Sequence, residues 1–142
     1  MTTYSIDADL DLLVNYLQAQ LPDLGIECIE DLIQCGIHLE VQRGEVVIRQ
    51  GDEDQSVYLL VSGKMNVVQP ENNLGVINTI IAGEIFGEMS ALTGKRRTVN
   101  ISAKRDSHLM KFKADDFKRI GQKHPRLQQV MTKLLMDRLQ MG

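Results

Sequence analysis

The sequence predicts an α+β protein that is mainly β, with about eight short strands in an antiparallel sheet and helices at both ends of the chain. Two observations lead to this fold class. Apolar residues recur at helical spacing before residue 37 and after residue 113, whereas between these positions they alternate in short runs. Turn signals separate these runs at regular intervals, which favours a closed or sandwiched antiparallel sheet over a parallel one.

The first 36 residues are expected to form two helices. Apolar residues in the first follow steps of one, three and four, at Ile6, Leu10, Leu13, Val14, Leu17 and Leu21. Ser5 or Asp7 would cap this helix, and Pro22 ends it. The second covers the apolar positions between Ile26 and Ile33 and closes at Gly36, which suits a left-handed C-terminal position.

From residue 37 the apolar period changes to two, which is typical of strands. Turns around Gly44, Gly51 and Gly63 join the strands, and residues 70–74 are expected to form a loop. The predicted strands are 38–42, 45–49, 56–62, 64–69, 75–81, 99–104 and 107–113.

Helix returns at the end of the chain. A short helix at 114–120 is stopped by Gly121, and Pro125 is well placed as the first residue of another. That last helix has an apolar face made of Leu127, Val130, Met131, Leu134, Leu135 and Leu139. A single helix of this length fits either a monomer or a homodimer joined along it.

Length and composition indicate one globular domain. The chain has 142 residues, 43% of them apolar and 25% charged, which allows a substantial core. A net charge of −3 argues against a nucleic-acid surface, no apolar run approaches the roughly 18–20 residues that span a bilayer, and the start lacks a signal-peptide pattern. Cys28 and Cys35, two turns apart on one helical face, are interpreted as buried thiols in a reducing cytoplasm.

The segment 86–98, with the sequence FGEMSALTGKRRT, combines the groups that hold a sugar phosphate. If Gly87 begins a short helical turn, the first N–H groups point outward and favour an anion, and the missing Cβ lets a ligand approach the backbone. Arg97 can fork two donors onto phosphate oxygens, and the carboxylate of Glu88 can accept from a sugar hydroxyl. The alternative is a solvated loop in which Arg97 and Glu88 pair with each other or with water.

This segment resembles the phosphate-binding cassette of cyclic-nucleotide-binding domains, which reads Phe-Gly-Glu, an apolar turn, then Arg, a small or hydroxyl residue, and Ala. Gly44, Gly51-Asp52 and Gly63 match turn positions of that family, and the resemblance covers nearly the whole chain. It implies an eight-stranded antiparallel β-roll, similar to a jelly roll, flanked by N-terminal helices and two C-terminal helices. The implied organisation is an N-terminal helical segment at 1–36, the β-roll with its cassette at 37–113, and hinge and lid helices at 114–142.

The resemblance implies a role for each cassette residue. Glu88 would accept a hydrogen bond from the ribose 2′-hydroxyl, and Gly87 and Ser90 would offer backbone N–H groups. Arg97 would neutralise the cyclic phosphate, with the hydroxyl of Thr98 nearby. A hydroxyl at Thr98 can also serve a guanine amino group, so cyclic GMP stays open beside cyclic AMP.

The resemblance also implies where the base lies. Apolar side chains of the β-roll, namely Val67, Ile80 and Met89, would line the base. The terminal helix would close over it, and the stretch around Arg138 is similar to that of the cyclic-nucleotide-gated channels, which makes Arg138 a candidate lid residue. The alternative for Arg138 is an ordinary solvated arginine near a helix end.

Two residues depart from the family pattern. Arg96 stands where most bacterial members have proline, and Val99 is bulkier than the common alanine. The extra volume of Val99 either crowds the ligand or fills the core.

The remaining candidate groups suggest no catalytic or metal chemistry. His38, His108 and His124 lack metal-ligand spacing, no set of catalytic groups stands out, and the acidic run 51–55 is interpreted as a solvated turn. We therefore expect a regulatory sensor, not an enzyme, that binds cyclic AMP or cyclic GMP without a metal and switches its C-terminal helix. Two alternatives stay open: the sensor half of a truncated transcription regulator, and a scaffold domain that keeps the fold without the ligand. The sequence names no effector.

Overall fold

The computed structural model describes residues 1–3, 10–70 and 75–141, with side chains up to residue 137. Ser5 and Asp7, expected as helix caps, lie outside the described residues, as do residues 71–74 of the expected loop. The side chain of Arg138 also lies outside them.

Within the described residues the chain forms five helices and nine strands. The helices are α1 (Leu10–Gln20), α2 (Ile26–Cys35), α3 (Glu88–Thr93), α4 (Ala114–Lys123) and α5 (Pro125–Met141). The strands are β1 (Thr2–Thr3), β2 (Ile37–Val41), β3 (Val46–Ile48), β4 (Val57–Ser62), β5 (Lys64–Val68), β6 (Val76–Ile81), β7 (Ile85–Phe86), β8 (Asn100–Ala103) and β9 (Ser107–Phe112).

The strands build two antiparallel sheets. One has the order β1-β2-β9-β4-β7 and the other the order β3-β8-β5-β6. The predicted fold class, an antiparallel β-roll with helices at both ends, is confirmed. The strands β1 and β7 are additions to the expected set, because two residues are too few to show an alternating pattern.

Two hydrophobic cores hold this arrangement together. The helix core packs α1, α2, α4 and α5 against one face of the five-stranded sheet, and the roll core fills the space between the two sheets. The helix core is centred on Leu17, Ile29, Leu32, Leu59, Phe112 and Leu127, and the roll core on Leu39, Leu60, Met65, Ile80, Phe86, Ile101 and Leu109.

Strand β4 contributes to both cores, which explains its unbroken apolar run. Val57, Leu59 and Val61 point into the helix core, whereas Tyr58 and Leu60 point into the roll core. The ring of Tyr58 stacks on that of Phe86 with centroids 5.1 Å apart. Because both faces are covered, β4 is the strand that fixes the helices relative to the roll.

The first half of α5 belongs to the helix core. Leu127 is fully buried and Met131 nearly so, while Val130 and Leu134 pack against the same core at its margin. Pro125 is the first residue of α5, as the sequence predicts.

Two glycines do not act as expected. Gly36 has an extended backbone (φ −73°, ψ 146°) rather than a left-handed one, because the chain passes directly from α2 into β2. A Cβ there would lie 3.0 Å from the carbonyl oxygen of Leu32 and from Cε1 of Phe112, so close packing explains this glycine. Gly121 does not stop α4, which continues to Lys123. A glycine costs a helix only about 1 kcal/mol, and packing against α5 outweighs that cost.

Cys28 and Cys35 are both free thiols, as expected, but the expectation that both are buried is wrong for Cys35. This residue, the last of α2, packs at the margin of the helix core and is only partly buried. Cys28 is fully buried in the helix core. This burial, with a smaller contribution from the charge of Asp31, raises the pKa of the Cys28 thiol to about 11, so the thiol stays protonated near neutral pH.

A carboxylate on α2 ties this helix to the junction between α4 and α5. His124 Nε2 lies 2.6 Å from Asp31 Oδ2, and Lys123 Nζ lies 3.1 Å from the same oxygen. The hydrogen bond with His124, followed by that with Lys123, lowers the pKa of Asp31. The stability that this shift contributes is present above the unfolded-state pKa of about 3.9 and is lost as the pH falls through the lower folded-state pKa.

We predict that Asp31→Asn lowers the free energy of unfolding at neutral pH and flattens its fall in acid, below the ordinary Asp pKa of about 3.9. Urea denaturation of parent and variant across a pH series measures both effects. Asp23→Asn, which removes an exposed carboxylate from the loop before α2, is the control. Parallel stability curves for the parent and Asp31→Asn would contradict the prediction.

Candidate functional site

The predicted cassette turn begins where the sequence pattern puts it. Helix α3 spans Glu88–Thr93 and is bounded by two left-handed glycines, Gly87 (φ 80°) and Gly94 (φ 71°). At its C-terminal end the N–H of Gly94 donates to the carbonyl of Ser90 at 2.9 Å. The first N–H groups of α3 have no partner inside the helix, as at any helix start.

Gly87 is required by its protein neighbours. A Cβ at this position would lie 2.9 Å from the carbonyl oxygen of Ser56, 3.2 Å from Nη1 of Arg97 and 3.3 Å from Cδ1 of Ile48. The sequence pattern predicts that the missing Cβ of Gly87 leaves room for a ligand. In the structure, atoms of the chain itself surround the position that this Cβ would take.

Arg97 is buried and fastened to two backbone carbonyls. Nη1 donates to the carbonyl oxygen of Gly87 and Nη2 to that of Ser56, each at 2.6 Å. The main chain of Arg97 is held as well, because its N–H donates to the carbonyl of Asp52 and its carbonyl accepts from the N–H of Gly51. The side chain is only 3% exposed. The burial of Arg97 therefore contradicts the alternative interpretation of this segment as a solvated loop.

The charge of Arg97 is only partly balanced by the groups around it. Nη2 lies 3.8 Å from Oδ2 of Asp54, and Nε has no hydrogen-bond partner among the described residues. Burial lowers the pKa of Arg97, while the carboxylate of Asp54 works to raise it. An arginine stays protonated in proteins all the same, so the site holds a permanent positive charge.

Asp54 is a residue of this site that the sequence pattern did not reveal. Burial works to raise the pKa of its carboxyl group, but hydrogen bonds from the hydroxyl and N–H of Ser56 lower it overall. The acidic run 51–55 is a largely exposed turn, as expected, yet Asp54 also faces Arg97. The short spacing to Ser56 before a strand was the available signal, because Asp commonly accepts from the N–H two residues later.

The other cassette residues divide into buried and exposed ones. Glu88 is fully buried, and its negative charge acts on Arg97. Ser90 is also buried. Met89 is 38% exposed, and Thr98 is exposed. The structure thus brings Gly87, Glu88 and Arg97 together and leaves Met89 and Thr98 at the surface.

The expected base-lining residues share the inner face of the four-stranded sheet. Val67 lies opposite Ile101, and Ile80 lies opposite Met65. Ile80 belongs to the roll core, and Val67 packs against it while remaining half-buried. The described side chains of α5 that are buried belong instead to the helix core. The lid contact proposed for Arg138 lies outside the described side chains.

The two departures from the family pattern have local explanations. Arg96 Nη2 lies 2.6 Å from Oε1 of Glu53, and both side chains are well exposed, so the pair contributes roughly 0–1 kcal/mol. Val99 packs against the roll core. Of the two interpretations of its extra volume, filling the core is the one that the packing supports.

The described part of the chain contains no group of three His, Cys, Asp or Glu side chains that could hold a metal ion. None of its helices has the length and apolar character needed to cross a bilayer.

A groove of about 370 Å³ lies between the start of α2 and the α4–α5 junction, lined by residues that include Leu24, Cys28, His124 and Arg126. It contains no cassette residue.

Comparisons with known proteins concern the family and the fold of the chain. The family model described as cyclic nucleotide-binding domain matches residues 38–124. The lysophospholipase nte1 of Aspergillus fumigatus is 34% identical over 103 residues, which cover 71% of this chain and 7% of that protein. The chain therefore spans a small fraction of the length of the curated relatives that it matches.

Solved structures share the fold over most of the chain. The Thermus thermophilus catabolite activator protein superposes with a TM-score of 0.75 and 25% identity, covering 85% of this chain and 58% of that one. The regulatory domain of Toxoplasma gondii PKA with cAMP gives a TM-score of 0.68 and 19% identity, covering 82% and 46%. Because the identity to the Toxoplasma gondii domain is only 19%, this similarity shows a shared fold alone.

Proposed function

The chain belongs to the cyclic nucleotide-binding domain family, and on this premise we propose that it is a regulatory module that binds cyclic AMP at the cassette 86–98. The observation that carries the proposal is the buried guanidinium of Arg97. It stands beside the start of α3, is 3% exposed, and donates to two neutral carbonyls. A buried charge is costly unless it is paired. The half-exposed carboxylate of Asp54, with Oδ2 3.8 Å from Nη2, pairs this charge only in part, and a cyclic phosphate would complete the pairing.

Arg97 has donors to spare for that phosphate. Of its five N–H groups, two are used by the carbonyls of Gly87 and Ser56, which leaves three. One of these is the Nε–H, which has no partner among the described residues. The two carbonyl contacts also hold the guanidinium in place, so little side-chain entropy would be lost when the phosphate binds.

Glu88 and α3 would complete the sugar-phosphate site. The carboxylate of Glu88, buried beside Arg97, would accept from the ribose 2′-hydroxyl, and Gly87 and Ser90 would offer backbone N–H groups. These roles follow the family pattern position by position. The half-buried Val67, with Ile80 and the exposed Met89, would lie against the base.

The output would be a movement of α5. The buried part of this helix now packs in the helix core through Leu127 and Met131, and closure would bring its later residues, Arg138 among them, onto the base. A ligand can shift such an equilibrium only by its difference in affinity for the two helix positions. The module would therefore act on an effector domain or partner rather than catalyse a reaction. The effector, a homodimer through α5 and a cytoplasmic location remain predictions.

A second candidate function is favoured by the same arginine. Because Arg97 already bridges Gly87 and Ser56, it could serve only as a brace between α3 and β4 in a scaffold domain that has lost its ligand. The two functions differ in one respect, since only the sensor gains stability from a cyclic nucleotide.

Thermal denaturation with added nucleotides separates the two candidates. We expect cyclic AMP at 100 times its dissociation constant to stabilise the fold by about 2.7 kcal/mol, whereas 5′-AMP, which lacks the ring-closed phosphate, has little effect. A larger shift with cyclic GMP would reassign the ligand and point to the hydroxyl of Thr98, and Thr98→Ala would then remove the preference. No shift with either cyclic nucleotide would refute the sensor and leave the scaffold.

A further inference from the structure

Strand β6 forms an outer edge of the four-stranded sheet. Among the described residues it pairs with β5 and with no second strand. Its sequence, VINTII, contains neither a charge nor a proline, and Val76, Ile77 and Ile81 are each about half exposed. An uncharged apolar edge of this kind is a ready template for a strand from another molecule.

Side chains of the same chain occupy the outward backbone groups of this edge. In an antiparallel edge strand, alternate residues direct their N–H and C=O groups away from the neighbouring strand. The N–H of Thr79 donates to Oδ1 of Asn78 at 2.8 Å, and the N–H of Ile81 donates to Oε1 of Glu84 at 3.0 Å. In return, the N–H of Glu84 donates to the carbonyl of Ile81 at 3.1 Å. Glu84 thus satisfies both outward groups of Ile81.

We propose that Asn78 and Glu84 close the edge of β6 against pairing with a second copy of this chain. A second copy is the partner that fits, because VINTII carries no charge that would repel an identical strand. An incoming β6 would offer carbonyl groups to the N–H groups of Thr79 and Ile81, which the two side chains already hold. Side-chain capping and edge pairing therefore compete for the same donors.

The double variant Asn78→Ala/Glu84→Ala tests this competition. Analytical ultracentrifugation across a concentration series is expected to show a larger average mass for this variant than for the parent. The matched control, Glu84→Gln, keeps an acceptor oxygen at both positions, has the same net charge as the double alanine variant, and is expected to behave as the parent does. Equal masses for all three proteins would overturn the proposal.

A third change identifies the surface involved. Adding Thr79→Pro to the double alanine variant removes an outward N–H without touching the hydrogen bonds to β5, since proline is tolerated where an edge-strand N–H faces solvent. This triple variant is expected to return to the mass of the parent. Association that persists in the triple variant would run through another surface and would also overturn the proposal.

The test remains decisive if the double variant does not fold, which circular dichroism would reveal. Asn78 is exposed, and its side chain accepts a hydrogen bond from the next residue along the strand, so Asn78→Ala alone should fold. In dilute solution, amide hydrogen exchange in this variant is expected to be faster at Thr79 and unchanged at Ile81. At higher concentration the average mass should rise, and exchange at Thr79 should slow again because a carbonyl of the second copy then accepts from this N–H. A parent-like mass together with faster exchange at Thr79 would show that the cap does not guard the edge.

Discussion

Replacing Arg97 with alanine is expected to weaken cyclic AMP binding about 10- to 100-fold, because a charge-assisted hydrogen bond contributes roughly 1.5–3 kcal/mol and 1.4 kcal/mol corresponds to a factor of ten. Calorimetric titration of the parent and Arg97→Ala measures this loss. The same change should also lower the free energy of unfolding by about 1–3 kcal/mol. The reason is that the carbonyls of Gly87 and Ser56 lose their buried donors.

Arg96→Ala is the matched control for this experiment. It removes an identical side chain from the adjacent position, but that side chain is 69% exposed and pairs with the equally exposed Glu53. Such surface pairs contribute roughly 0–1 kcal/mol, so affinity and stability should both stay near those of the parent. If Arg97→Ala bound cyclic AMP as tightly as Arg96→Ala, this result would contradict a contact between Arg97 and the phosphate.

Gly87→Ala is expected to cost more in stability than any other glycine change at this site and to weaken binding as well. The new Cβ would need a left-handed backbone, which costs about 1–2 kcal/mol for a residue other than glycine. It would also press against the carbonyl of Ser56 at 2.9 Å and Nη1 of Arg97 at 3.2 Å. Since the carbonyl belongs to the backbone, the guanidinium is the group that must move. Urea denaturation and cyclic AMP titration measure the two effects.

Gly94→Ala separates the backbone strain from the collision. Gly94 ends the same helix with a similar φ of 71°, but a Cβ there meets nothing within 4 Å. It should therefore lose only the backbone contribution to stability and keep its affinity. Equal losses of affinity in the two variants would mean that Arg97 does not depend on the space at Gly87.

The elements with strong local patterns were predictable from the sequence. The apolar run of β4 and the central parts of the helical stripes of α1 and α2 reflect burial that each element shows by itself. Leu10 and Ile26, the first residues of the two helices, belong to the predicted stripes but are about half exposed. The order of the strands was not predictable, because pairs such as β2 with β9 join residues far apart in the chain. The strand β7 and the true role of Gly36 depend on contacts with other elements, which leave no periodic signal.

The candidate site was predictable only where its residues lie close together in the sequence. Gly87, Glu88 and Arg97 lie within one short segment, and their chemical types alone point to a sugar phosphate. The contact between Arg97 and Ser56 was not predictable, because every residue type has a backbone carbonyl and its presence leaves no signal in the sequence. Only the fold places that carbonyl beside the guanidinium, 41 positions away in the chain.

The central claim is that the cyclic phosphate binds between the start of α3 and the guanidinium of Arg97. Amide and guanidinium resonances of the ¹⁵N-labelled protein, followed during titration with cyclic AMP, test it most directly. The account predicts saturable shifts, at one nucleotide per chain, that are largest at Gly87, Glu88, Ser90 and the Nε–H of Arg97. Shifts confined to the groove between α2 and the α4–α5 junction, or no saturable shift at all, would contradict it.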